Sequence, residues 1–477
     1  MALNNFFFIP FLLVVLLIYW LSTLIFKNSK YKKEILYIEL IVASYGFIGC
    51  TNIYYALILL IVSLITYFSA LGIEKYESRR GLISKLSITI LLLILGIFKY
   101  YNFFVDSLKW LIGNGATIKI LLPLGISFYV FSAISYIIDV YRKKSSVNKS
   151  VIEVLFFIGF FPKLLAGPIV RADIFFKQLF NINTLKWSNL EIGVQLFVIG
   201  LFKKMVLADR IGVFVDDIFR TPVSFDGLTL LWGVISYSMQ IYFDFSGYSD
   251  MAIGVSKMFG FDFPDNFNYP YISKNVTEFW KRWHISLSSW LQEYLYYSLG
   301  GNRKGKFRTY VNLFLTMLLG GLWHGAAWTF VVWGAMHGFA LIVHKLFMIW
   351  KETKFGDKKA TNFAWNIISV VLTYVFVSFC WIFFRATSFN NAAEVLKGIF
   401  TMQIGIVQPY TWSMFGLVWL VIMSFARNKI SQNNNCYCGV PIQDLTTIKG
   451  QTIFFVLCGL TIILAYVGNT AFIYGSF

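Results

Sequence analysis

Charge is scarce in this sequence: Asp, Glu, Lys and Arg together make up 13% of its 477 residues, about half the share of an ordinary soluble domain. That excludes a soluble multi-domain protein, which at this length would divide into several domains with charged surfaces. Acidic residues are the scarcer sign, 23 against 41 basic ones, for a net charge of +18. Such an excess implies nucleic-acid binding only when it gathers on a soluble basic face. Here the Lys and Arg lie in short loops between apolar runs, where they orient a membrane protein, so no nucleic-acid partner is expected. Cysteine is rare and odd in number, five in all, with Cys50, Cys380 and Cys458 inside apolar runs. Cys436 and Cys438 form a C-x-C without a second pair, which supplies neither a disulfide framework nor a zinc site. No metal and no bound cofactor is expected. The opening MALNNFFFIPFLLVVLLIYW has no basic start and no small-residue cleavage site, so it reads as a first spanning helix and not a secretory leader.

Apolar residues are abundant, at 58%, and recur in long runs between positions 6 and 466. A helix needs about 20 such residues to cross the hydrocarbon core, so the chain is expected to be an all-α polytopic membrane protein. About eleven or twelve membrane segments are expected. Aromatic residues, at 19%, provide interfacial Trp and Tyr belts. Basic loops set a topology. A helix over 6–26 leads to Lys27, Lys30, Lys32 and Lys33, and helices over 35–50 and 54–72 return to a basic stretch ending at Lys85. Helices over 86–104 and about 118–140 return to Arg142, Lys143 and Lys144. Three basic loops on one side put that side in the cytoplasm and the amino terminus outside. Between 151 and 305 the apolar runs are cut by Pro162, Pro168, Pro222, Pro264 and Pro270. Irregular backbone at membrane depth is tolerated only where protein or a water-filled cavity surrounds it, so a site inside the membrane is expected there. The last spans are expected over 363–384, 411–425 and 452–467.

Histidine is rare too: His284, His324, His337 and His344 are the four. Ionisable groups inside a membrane are costly and mark function, and imidazole is the side chain suited to moving protons near neutral pH. His324 lies in GGLWHGAAWTFVVWGAMHG. The apolar stretch before it, 311–322, rises only roughly 18 Å as a helix, so a helix starting at the basic KGKFR leaves His324 at bilayer depth. Trp323 and Trp328 would keep water away, and a buried neutral imidazole is a base for a hydroxyl proton. His337 and His344, two turns apart on one helix face, read as packing residues. His284 lies in NVTEFWKRWHISLSSWLQEYLYYSLGGNRKG. As one helix, this places Trp280, Trp283, Leu287, Trp290 and Leu291 on an apolar face and Lys281, His284, Ser288 and Gln292 in a polar stripe. The following Asn302, Arg303, Lys304, Lys306 and Arg308 form a basic cluster suited to anionic lipid or the phosphates of a small-molecule substrate. In YFDFSGYSD, Asp244 or Asp250 is expected to pair with a buried cation.

These segments, with PLGISFYVFSAISYIIDVYR, FFPKLLAGPIVR, GLFKKMVLADR, NFNYPYISKN and SFCWIFFRATSF, occur in an order that resembles the membrane-bound O-acyltransferase family, in its alginate O-acetyltransferase-like branch. The resemblance covers about 122–389. It implies one membrane domain over 1–477, with amino-terminal helices over 1–150, a catalytic core over 151–350 and carboxy-terminal helices over 351–477. It also implies short or re-entrant helices around a central tunnel. By the same resemblance His324 and His284 are the catalytic pair, and Trp323, Trp280, Arg282, Asn302, Arg303 and Asp244 are candidates for binding the donor or lining the tunnel. The implied activity moves an acetyl group from cytoplasmic acetyl-CoA across a bacterial cell membrane to an exported or cell-wall polysaccharide. Transfer would be direct or through an extracytoplasmic SGNH-hydrolase-like partner or polysaccharide-assembly proteins. A sister branch transfers D-alanine to teichoic acid. Gln292 and Glu293 stand where the branch usually has Arg and Asp, and Ser298 where it has Pro, which weakens any phosphate-binding role at 292. A transporter or flippase of a lipid-linked sugar is the competing class, and it would be supported by inverted repeats, which the sequence does not display. A structural assembly subunit is the third.

Overall fold

The computed structural model describes all residues except 1–2, 109–119, 180–185, 356–362, 409, 433–435, 438–439, 469–472 and 474–477. The described chain is almost wholly helical, apart from one two-stranded hairpin, β1 (Cys436–Tyr437) with β2 (Val440–Pro441). Among the described residues five helices are long and apolar enough to cross a membrane, and three shorter apolar ones accompany them. The chain is a multi-pass membrane protein. It divides into two compact units, one of Met1–Ile199 with Tyr248–Pro264, the other of Gly200–Gly247 with Asp265–Phe477.

The first unit contains α1 (Phe8–Ile25), α2 (Lys32–Gly49), α3 (Ile53–Lys75), α4 (Arg80–Ser107), α5 (Ile126–Tyr141), α6 (Val151–Gly159), α7 (Ala172–Leu179) and nearly all of α8 (Trp187–Leu201). Caps explain several boundaries. Asn52 accepts from the N–H of Tyr54 to start α3, and Ser150 accepts from that of Glu153 to start α6, the Ser-x-x-Glu pattern of a capping box. The helix expected from about 118 begins instead at Ile126, behind Gly125 at φ +71°. That Gly packs so closely on the carbonyl of Leu164 that a Cβ would lie 2.0 Å from the oxygen. The loops after α3 and α5 lie together: Lys143 pairs with Glu77 at 2.7 Å and the Arg80 guanidinium donates to the carbonyl of Tyr141. Two of the three basic loops therefore share one face, as the charge pattern requires. The interior is aromatic, with Phe156, Phe160, Phe175 and Phe261 in edge and stacked contact and Lys163 capping the Phe157 ring at 4.0 Å.

The second unit holds α9 (Asp209–Arg220), the first part of α10 (Gly227–Met258), α11 (Val276–Arg282), α12 (Ile285–Trp290), α13 (Gly305–His324), α14 (Trp328–Phe355), α15 (Phe363–Arg385), α16 (Phe389–Phe400), α17 (Thr411–Gln432) and α18 (Ile448–Leu464). A π-helical turn, Phe202–Ala208, leads into α9. In it the buried Lys204 ammonium meets Asp209 at 2.7 Å and Asp244 at 2.5 Å, so Asp244 does find a buried cation. Its second oxygen accepts from the N–H of Ile473. Helices α13 and α14 form an antiparallel hairpin. In lipid no hydrophobic effect drives helices together, and small residues permit the close packing that does. At this crossing a Cβ on Gly321 would lie 2.4 Å from the Phe330 carbonyl and 2.9 Å from the Gly334 Cα. Cys50, Cys380 and Cys458 are free thiols, and Cys438 lies outside the described residues.

Candidate active site

The Gly321–Gly334 crossing fixes where His324 sits. α13 is 20 residues long and includes the basic KGKFR sequence, with His324 as its last residue. From Arg308 to His324 the rise is about 24 Å, less than the roughly 30 Å hydrocarbon core. Were its basic end at one interface, this helix would carry His324 into the far half of the apolar layer. The imidazole is 2% exposed, and its ring touches Trp323 at 4.9 Å, Trp333 at 5.0 Å and Phe384 at 5.5 Å.

The segment carrying His284 departs from the single amphipathic helix expected for it. It breaks into α11 and α12 because Trp283 is extended and His284 is left-handed, at φ 42° and ψ 56°; a π-helical turn, Leu291–Tyr296, follows. Asn275 starts α11 by accepting from the N–H of Glu278. Positive φ is uncommon for a side chain other than Gly, though His adopts it more readily than most, and here Asn266 holds it. The Asn266 carbonyl accepts from the N–H of Ile285, and its Oδ1 accepts from the N–H and hydroxyl of Ser286 and lies 3.0 Å from His284 Nδ1. Those donors identify the amide oxygen, so Nδ1 carries the hydrogen and Nε2 the lone pair. His284 is fully buried and packs on Phe245 at 4.6 Å and on Trp323 at 6.3 Å. Both histidines therefore contact the Trp323 indole.

The rest of the expected polar stripe keeps its place. Lys281, Ser288 and Gln292 line a cavity of about 510 Å³ together with Trp280, Asn302 and Met317, a size suited to a small-molecule ligand. Asn302 follows Gly300 and Gly301, whose φ values of 109° and 57° form the turn that brings it there. The Gly301 carbonyl accepts from the Asn312 amide at 2.9 Å. Of the other candidates, Arg282 is engaged with Glu278 and the Asn268 carbonyl. Arg303 is exposed, and Asp244 belongs to the Lys204 cluster. None of these three lines the cavity.

His324 does not line it either. A run of ring contacts joins the two. Trp280, in the cavity wall, touches Trp333 at 5.7 Å, and Trp333 touches His324. His337 completes this partition: its Nδ1 accepts from the Trp280 indole N–H at 3.3 Å, and its ring lies 4.9 Å from Trp333. Sequence reasoning assigned His337 to packing. Its Nε2 and the Trp333 indole N–H, both buried, have no hydrogen-bond partner among the described residues, a state that costs about 1–3 kcal/mol per group. His344, with its Nδ1 2.8 Å from the Thr277 hydroxyl, is half-buried. Asn266 was missed in the sequence, where nothing in NFNYP signals a bond to a residue so far along the chain.

Comparison with known proteins agrees with this architecture. The profile of the membrane-bound O-acyltransferase family matches residues 143–385. The chain is 41% identical over 414 residues to a probable alginate O-acetylase of Pseudomonas putida, covering 83% of this chain and 80% of that one. It is 37% identical over 429 residues to a peptidoglycan O-acetyltransferase of Helicobacter pylori, covering 82% and 78%. It is 30% identical over 284 residues to a teichoic acid D-alanyltransferase of Bacillus subtilis, covering 56% and 70%. A chain with two buried histidines packed on one indole, and with this likeness along most of its length, belongs to the membrane-bound O-acyltransferase family, in its alginate O-acetylase-like branch, and is an O-acyltransferase.

Proposed function

We infer that the enzyme takes an acetyl group from cytoplasmic acetyl-CoA and transfers it within a bacterial cell membrane to a hydroxyl destined for an exported or cell-wall polysaccharide. The recipient is either the glycan or an extracytoplasmic SGNH-hydrolase-like partner. The observation that carries this is the pairing of His324 and His284 on one indole, at the end of a run of rings that begins in the cavity wall. Asn302, in the cavity lining, opens the basic run Arg303, Lys304, Lys306 and Arg308, which suits the phosphates of coenzyme A at the mouth. By the positive-inside rule that mouth faces the cytoplasm and the amino terminus faces outside. The narrow arm and its thioester would enter while the nucleotide stays at the basic rim.

In the reaction the recipient hydroxyl gives its proton to His324 as its oxygen attacks the thioester carbonyl carbon. The carbon–sulfur bond then breaks, and the leaving thiolate takes the proton from the imidazolium. The products are an acetyl ester and free coenzyme A thiol. His284, with its lone pair on Nε2, would orient a reacting group from the other side of Trp323. The relatives that act as O-acetylases span more of this chain than the D-alanyltransferase does, which favours acetyl over D-alanyl. The test is His324→Ala in the purified full-length protein. Release of free thiol from acetyl-CoA in the presence of an acceptor should fall to background while the melting temperature changes little. Undiminished release by this variant overturns the assignment.

A further inference from the structure

Trp333, His337 and Leu341 follow one another at steps of one turn and share a face of α14. Leu341 lines the cavity, Trp280 in the same wall donates to His337, and Trp333 lies against His324. Leaving the cavity along this face, a ligand would meet His337 first, then Trp333, then the reactive imidazole. The tautomer of His337 follows from its bond to Trp280. Indole N–H is only a donor, so Nδ1 must be the lone-pair nitrogen and Nε2 carries the hydrogen. Two N–H donors, His337 Nε2 and Trp333 Nε1, thus stand one turn apart, buried and without an acceptor among the described residues. A packing residue between Phe279 and Phe376 needs no such nitrogen; Phe would serve. What the pair lacks is an oxygen acceptor. The arm of a coenzyme A thioester carries amide and thioester carbonyl oxygens, whereas a lipid tail carries none.

We propose that His337 orients the acyl donor: Trp280 holds its Nδ1, so that Nε2–H donates to a carbonyl oxygen of the thioester arm as the arm passes from the cavity to His324. The assignment rests on the acyl-transfer reading above. The test uses full-length protein in lipid nanodiscs, with acetyl-CoA as the probe, and two variants that separate the nitrogens. His337→Asn keeps an acceptor at the Nδ1 position but removes the Nε2 donor; His337→Gln supplies an N–H near the Nε2 position. The Asn variant should raise the KM for acetyl-CoA about tenfold or more with a smaller change in kcat, and the Gln variant should recover most of that loss. Equilibrium binding of acetyl-CoA to the same variants in a His324→Ala background should follow the KM, and it needs no recipient. Wild-type affinity in both variants, or equal losses in both, overturns the role of His337 while leaving His324-dependent thiol release intact. Absence of thiol release from the wild-type protein overturns the acyl-transfer reading, and this role with it.

Discussion

The Gly321–Gly334 crossing makes a sharp demand on a single methyl group. In Gly321→Ala the new Cβ would lie 2.4 Å from the Phe330 carbonyl oxygen and 2.9 Å from the Gly334 Cα. Both are backbone atoms, so no side-chain rotation relieves the overlap, and α13 must move away from α14 by roughly 1 Å to reach ordinary contact. Overpacking of this kind costs about 1–3 kcal/mol. The functional loss should be larger, because His324 is one turn further along α13 and its contact with Trp333 crosses the same interface. A displacement near 1 Å at a reacting group costs about 10²-fold in rate. The neighbouring Gly320→Ala is the built-in control. Its Cβ would meet only the Leu291 Cδ1, at 3.2 Å, the end of a flexible side chain. Thiol release from acetyl-CoA and thermal unfolding should be measured on both purified variants. Gly321→Ala should lose about two orders of magnitude in kcat, and Gly320→Ala should stay within a few-fold of the parent. Equal activity and equal melting temperatures in the two variants would refute the idea that the hairpin crossing positions His324.

Two other substitutions test the supports of the site. Asn266→Ala removes the acceptor shared by His284 and Ser286; it should cost about 1–3 kcal/mol, lower kcat, and be rescued more by Asn266→Asp than by Asn266→Leu in thermal and kinetic assays. Lys204→Met leaves Asp209 and Asp244 buried without their shared cation and should destabilise the protein by about 3–5 kcal/mol. Restored yield and melting temperature in the triple variant Lys204→Met, Asp209→Asn, Asp244→Asn would show that uncompensated charge was the cause.

Much of this arrangement is written locally. The run ending at His324 begins in basic residues and stops before Gly325, so the helix follows from length and hydropathy. Helices α2 to α4 follow their apolar runs for the same reason. The turn that brings Asn302 to the cavity wall is likewise encoded in adjacent residues, Gly300 and Gly301. The kink at His284 is different. The apolar spacing of Trp280, Trp283, Leu287 and Leu291 is compatible with one continuous helix, and what breaks it is a set of bonds from Asn266, on a separate loop. The position of the hydrogen on His337 is hidden for a similar reason. Its periodicity is that of any residue facing the interior, and only the Trp280 bond reveals which nitrogen bears hydrogen. The pairing of Asp244 with Lys204 lay between these cases: burial demanded a cation, but the π-helical turn that supplies it has no sequence period of its own.

The contact between His324 and Phe384 has a further consequence. Phe384 immediately precedes Arg385, which reaches a partly exposed Asp216, so the ring packed on His324 is one residue from a partly exposed ion pair. On the acyl-transfer reading, the donor would approach His324 past Trp280 and Trp333, whereas the recipient would approach past Phe384. An enzyme working this way would select its donor more strictly than its recipient.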